Sequence, residues 1–141
     1  MHIAKKALGV SLTALALTAS LPATANAAAA SDAARAQKSC HTTGANGMVT
    51  IEGFRPGVKR IKVTMSVDDI AADGDEVRVR LLTKLSDGST KHWPWHANSS
   101  GDGTWKQWKT YASDDGGFKG AGLAVARFKG NKFLNGCQNW I

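Results

Sequence analysis

Residues 91–111, KHWPWHANSSGDGTWKQWKTY, gather four tryptophans, a tyrosine and three lysines into one stretch. Aromatic planes set among amides and cations can stack on the apolar faces of sugar rings or on a polymer chain. The same residues can equally fill the core of a small domain. In an extended strand Trp93 and Trp95 fall on one side, with His92, Pro94 and His96 on the other. Trp105 and Trp108 are three apart and therefore face opposite ways. Trp108 shares its face with Thr104, Lys106 and Thr110. Trp105 shares the other with Gln107, Lys109 and Tyr111, an amphipathic set suited to a ligand platform.

Other reactive residue types are sparse. His92 and His96 have the H-x-x-x-H spacing of a metal pair on a helix, but Pro94 between them opposes a helix. Extended, the two lie ~13 Å apart, too far for one ion. The acids Asp68, Asp69, Asp73, Asp75 and Glu76 offer oxygen ligands for calcium, without the alternating spacing of a dedicated loop. A solvated acidic turn is the simpler reading. No G-x-S-x-G, H-E-x-x-H or phosphate-cradling glycine loop occurs. Glu52 and Glu76 are the only glutamates, a poor basis for paired-carboxylate hydrolysis. The chain is therefore expected to be non-catalytic, with no cofactor and no metal.

The elements that position these residues follow from patterning. Residues 1–27 have the three parts of a cleaved signal peptide. Lys5 and Lys6 form a basic start, ALGVSLTALALTA is the apolar run, and Ala25-Asn26-Ala27 is the cleavage site. The apolar run is too short to span a bilayer as a helix. The expected product is secreted, extracellular and without a membrane span. Removing 27 residues from the 141-residue chain leaves 114, a single domain. The net charge of +7 falls to +5 once Lys5 and Lys6 are gone, which favours anionic partners. Residues 28–39 are Ala-rich without apolar periodicity and read as a flexible leader. Residues 40–141 read as the domain.

From residue 46 the apolar period is two. Residues 58–67 set Ile61, Val63, Met65 and Val67 against Arg60, Lys62, Thr64 and Ser66. Residues 76–85 set Val77, Val79, Leu81 and Leu85 against Arg78, Arg80 and Lys84. Further strands are expected at 47–54, 90–96 and 104–112, with a turn at SDDGG (113–117) and a final hairpin around Gly130-Asn131. About seven short strands with regular turn signals and no helical period make an all-β fold. The expectation is a single antiparallel β-sandwich, immunoglobulin-like or a related Greek key. If strands 58–67 and 76–85 pair, Lys62 meets Arg80 or Arg60 meets Lys84, and an anion would relieve the repulsion. Cys40 and Cys137, an even pair in an exported chain, are expected to form a disulfide and bring the first and last strands side by side.

The leading functional expectation is a secreted binding module for an extracellular glycan or polyanion. Trp93, Trp95, Trp105, Trp108 and Tyr111 would stack, and Lys106, Lys109, Arg78 and Arg80 would supply charge. A secreted protein-interaction factor, either inhibitor or toxin-like effector, is the alternative. Its tryptophans would be core and loop 97–103 or 113–117 would carry recognition. A small secreted hydrolase is a third class. Export disfavours sequence-specific nucleic-acid binding.

Overall fold

The computed structural model describes residues 35–141. The signal peptide expected over 1–27 and residues 28–34 of the expected leader lie outside these residues. Eight strands make the domain: β1 (Arg35–Thr42), β2 (Ala45–Glu52), β3 (Val58–Asp69), β4 (Glu76–Leu85), β5 (Thr90–His92), β6 (His96–Asn98), β7 (Trp105–Lys129) and β8 (Lys132–Trp140). All pairings are antiparallel. The order is β1-β2-β3-β7-β4-β5, with β6 also on β4 and β8 on β7.

The period-two pattern explains why these segments are strands. On β3 the residues Ile61, Val63, Met65 and Val67 are buried, and on β4 Val77, Val79 and Leu81 are. They meet Val49 and Ile51 of β2 and Phe118, Leu123 and Val125 of β7 in one core. Each fully buried side chain of this size contributes roughly 1.5–3 kcal/mol relative to exposure. The halves approach closely at Gly47, where an added Cβ would run into the Val125 side chain.

The β7 strand is the main departure from the expected outline. Its first part, Trp105–Ser113, pairs with β3; its second, from Phe118, pairs with β4 and, from Gly122, with β8 on its other side. One strand thus belongs to both halves of a sheet folded over its own apolar face. SDDGG, expected as a turn, bends this strand without reversing it. Gly117 carries the bend at φ +79°, and a Cβ there would sit 2.5 Å from the Gly57 carbonyl oxygen. An L-residue is strained at that φ and has no room.

Three further expectations are corrected. β3 and β4 do not pair, so the facing cations of the suggested hairpin never meet. Lys62 lies opposite Glu52 and bonds it at 3.1 Å, while Arg80 lies opposite Ala124. Residues 35–39, expected to belong to the leader, are strand, because β1 starts at Arg35. This edge strand buries almost nothing but Cys40 and is held by its backbone ladder to β2, so it lacks apolar periodicity. Finally, 90–96 is two short strands. His92 faces Leu82 and His96 faces Val79, so three residues oppose two across Trp93-Pro94-Trp95. That is a bulge, placed where proline withholds its N–H from the ladder.

The disulfide joins Cys40 and Cys137, whose Cα atoms are 6.0 Å apart. It brings β1 beside β8, where Asn139 Nδ2 donates to the Ser39 carbonyl at 2.8 Å. The Gly130-Asn131 hairpin forms as expected, with Lys129 opposite Lys132. Replacing both cysteines with alanine is expected to lower the unfolding free energy by about 4–5 kcal/mol, because the bridge spans 97 residues of chain. Urea unfolding of the double variant beside the oxidised parent measures this, and a loss under ~1 kcal/mol would contradict it.

Candidate functional site

The nine residues singled out in sequence separate into three places. The first is the outer face of the β1–β2–β3–β7 half. Trp105, Gln107, Lys109 and Tyr111 alternate along β7 opposite Asp68, Ser66, Thr64 and Lys62 of β3. Trp105 is 54% exposed and Tyr111 56%, so both rings present surface to solvent. The Arg60 guanidinium lies 4.4 Å from the Tyr111 ring centroid. The result is an aromatic plane at each end of a row with an amide, a lysine and flanking cations between.

The second place is the open edge where β7 of one half faces β5 and β6 of the other. Trp108 points inward opposite Met65 and packs against the core. Lys106 belongs to the same inward set, opposite Val67. Trp93 also reaches the core: its Nε1 donates to Thr83 Oγ1 at 3.0 Å, and it meets Phe118 edge-on at 6.5 Å. The Lys91 ammonium sits 4.1 Å from its ring centroid. His96 lies 5.2 Å from Trp108, and burial there pushes its pKa below the ordinary imidazole value. Trp93 and His96 line a cavity of about 260 Å³ at this edge, together with Met65, Leu81 and Ala112.

The third place is the outer face of the β4–β7–β8 half, where Arg78 and Arg80 project. A regular strand would set Trp93 and Trp95 on one side. The bulge at Pro94 advances the register by one residue and sends them to opposite faces. Trp95 therefore lies on the outside, with the Arg80 guanidinium 4.2 Å from its centroid and Phe128 edge-on at 5.6 Å. Arg78 lies 4.1 Å from Phe128 and Lys84 lies 5.6 Å from Trp140. Each outward cation of β4 thus covers an aromatic ring from another strand or loop. Arg78 also pairs with Glu76, whereas no carboxylate pairs with Arg80 among the described residues. Burial lowers the Arg80 pKa, though the group stays protonated across any biological range.

Sequence reasoning missed Phe128, Phe133 and Gln138 on this face, and the small residues beneath them. A period-two signal was present: Gly120, Gly122, Ala124 and Ala126 alternate with Ala121, Leu123 and Val125 on β7. The outward small residues leave a groove of about 330 Å³ between the side chains of β4 and β8.

The acidic loop is taken up internally. Asp73 accepts from Arg127 Nη1 at 2.9 Å, Asp75 lies 3.7 Å from Arg127 Nε, and Asp69 accepts from the Ala71 amide at 3.2 Å. Loop 99–103 is tied down by Asn98, whose amide donates to the Thr104 carbonyl at 3.1 Å. No family model matches the chain, and no curated protein matches its sequence.

His96 sets a pH dependence. The unfolded imidazole binds its proton near pH 6.5, and the folded one only at lower pH. Over that interval the unfolded state holds more protons, so stability falls as pH drops through the ordinary imidazole range toward the lower folded value. His96→Gln is expected to flatten this part of the urea-midpoint profile; an unchanged slope would contradict it.

Proposed function

We propose that the chain is an exported, non-catalytic module that binds an extracellular anionic glycan or similar polymer on the outer face of its β1–β2–β3–β7 half. The observation that carries this is the pair of exposed rings, Trp105 and Tyr111, on one face of a single strand with Gln107 and Lys109 between them. Six residues of strand separate them by ~20 Å, a span suited to an extended chain. The strand backbone holds both planes in place, so little ordering entropy opposes stacking. Tyr111 carries Arg60 beside its ring, and Lys62 sits opposite it, which gives this end of the row positive charge.

Two further observations agree with the proposal. The disulfide belongs to an oxidising compartment, as an exported protein would meet. On this face Glu52 bonds Lys62 and Asp68 lies opposite Trp105, so the positive charge of the row gathers toward Lys109 and the Tyr111 end. Lys109 and Arg60 then serve as charge donors to a polyanion, and the aromatic planes supply the contact that a neutral sugar face can use.

Retention on immobilised polygalacturonate, with neutral dextran as the comparison, tests the assignment. The parent is expected to bind the polyanion, with quenching of Trp fluorescence and release by salt. Trp105→Ala and Tyr111→Ala are each expected to weaken binding about tenfold, the loss of one stacked ring. Equal retention on both polymers, or a double variant that binds like the parent, would remove the support for this face. Recovery of a stoichiometric protein partner from culture supernatant, with neither polymer retained, would favour the interaction-factor alternative.

A further inference from the structure

The groove on the opposite face has features that the row does not. Its floor is Ala124 and Ala126 of β7, both buried although they point outward. One wall is Arg80 laid against Trp95. The other is β8, which contributes Gln138 opposite Ala124 and Gly136 opposite Ala126. A register shift between Arg127 and Phe128 brings Phe133 opposite Phe128, and it stands at one end of the groove, 57% exposed. At the other end Trp140 lies over Gly122, with its ring 3.1 Å from where a Cβ would be. The flanking strands are about 10 Å apart, twice the interstrand spacing. A volume of about 330 Å³ is at the small end of the range for ligand sites.

The chemistry of the lining limits the occupant. Arg80 is the one charged side chain in it, and no acid faces it there. Its Nε is shut off without a partner. Arginine presents a planar fork that matches a carboxylate, and a single unpaired cation balances a single negative charge. Gln138 supplies both an amide donor and an acceptor for hydroxyls. The alanine floor and the exposed Phe133 ring suit the C–H face of a saturated ring.

We infer that this groove is a second binding site, separate from the row on the other half, for one six-membered sugar ring that carries a carboxylate. The carboxylate meets Arg80, the hydroxyls meet Gln138, and the ring face lies on Phe133 above Ala124 and Ala126. Lengthening the ligand along β7 is blocked by Trp140 at one end and by the Phe128–Phe133 pair at the other, whose centroids are 5.8 Å apart. The site therefore takes a monomer or a chain end, whereas the row takes the middle of a chain.

The test is an NMR titration of the full domain with glucuronate, read on the indole and side-chain amide signals. Glucose, benzoate and inorganic phosphate are the comparison ligands. Glucuronate is expected to move the Trp95 indole and Gln138 amide signals saturably and to leave the Trp105 indole in place. Phe133→Ala and Gln138→Ala, both at exposed side chains, are expected to weaken the response about tenfold while the rest of the spectrum stays that of the parent. Arg80→Gln is expected to abolish it and Arg80→Lys to restore it in part. An equal response to glucose, a stronger one to benzoate or phosphate, no saturable shift, or a response confined to Trp105 would each overturn the assignment. Since the signals report the two faces separately, failure here leaves polygalacturonate binding through Trp105 and Tyr111 to stand or fall independently.

Discussion

The backbone ladder of β7 is the constraint on which the fold depends. A strand of 25 residues satisfies its N–H and C=O groups first against β3 and then between β4 and β8. Buried backbone groups must be paired, so the interruption is confined to residues 114–117, which lie outside both ladders. Gly117 permits that, and the apolar faces then close on each other around Phe118. Both outer faces are consequently built on one strand, and the side chains of its two parts set the character of each. The first part presents Trp105 and Tyr111; the second presents glycines and alanines from Gly120 to Ala126 and then Phe128. One half is therefore a flat aromatic row and the other a shallow trough.

Local irregularities then decide which aromatic does what. Without the bulge at Pro94, Trp93 and Trp95 would lie on the same side of the sheet. Either the core would lose the ring that meets Phe118, or Arg80 would lose the ring it covers. The bulge on the β7–β8 hairpin acts in the same way on Phe133, since it brings that ring opposite Phe128. Bulges re-aim side chains at sites of this kind. The cations of β4 contribute differently. Placed over rings, they shield apolar surface from water while keeping their charge available, and each such contact stabilises by about 0.5–1 kcal/mol at an exposed position.

Much of the fold was legible because the apolar period of two is strong in β3 and β4, where it marked the inward apolar residues Ile61, Val63, Met65, Val67, Val77, Val79 and Leu81 but not the buried polar Asp69 and Thr83. The disulfide followed from an even cysteine count, and the final hairpin from Gly130-Asn131. The row Trp105-Gln107-Lys109-Tyr111 also followed, since side-chain alternation holds in any straight strand. What failed were places where local composition and tertiary pairing disagree. SDDGG has the composition of a turn, yet a bend between two halves uses the same residue types. Arg35–Thr42 has no apolar periodicity because an edge strand with a solvated outer face needs none. The facing of Trp93 and Trp95 hinged on one extra residue opposite β4, and register is a property of two segments together. The groove went unnoticed because its signal is missing side chains, and alanines alternating with core residues resemble ordinary filler.

The cysteine bridge has a topological consequence. With Cys40 and Cys137 linked, the 97-residue span between them is covalently a ring. A single cut by a protease in any loop of that ring, whether at 70–75, 86–89 or 99–103, opens it without releasing a piece. Both fragments stay joined through sulfur and remain threaded into the same ladder. One nick in the ring is then survivable damage, and only a second cut or a reductant separates the parts.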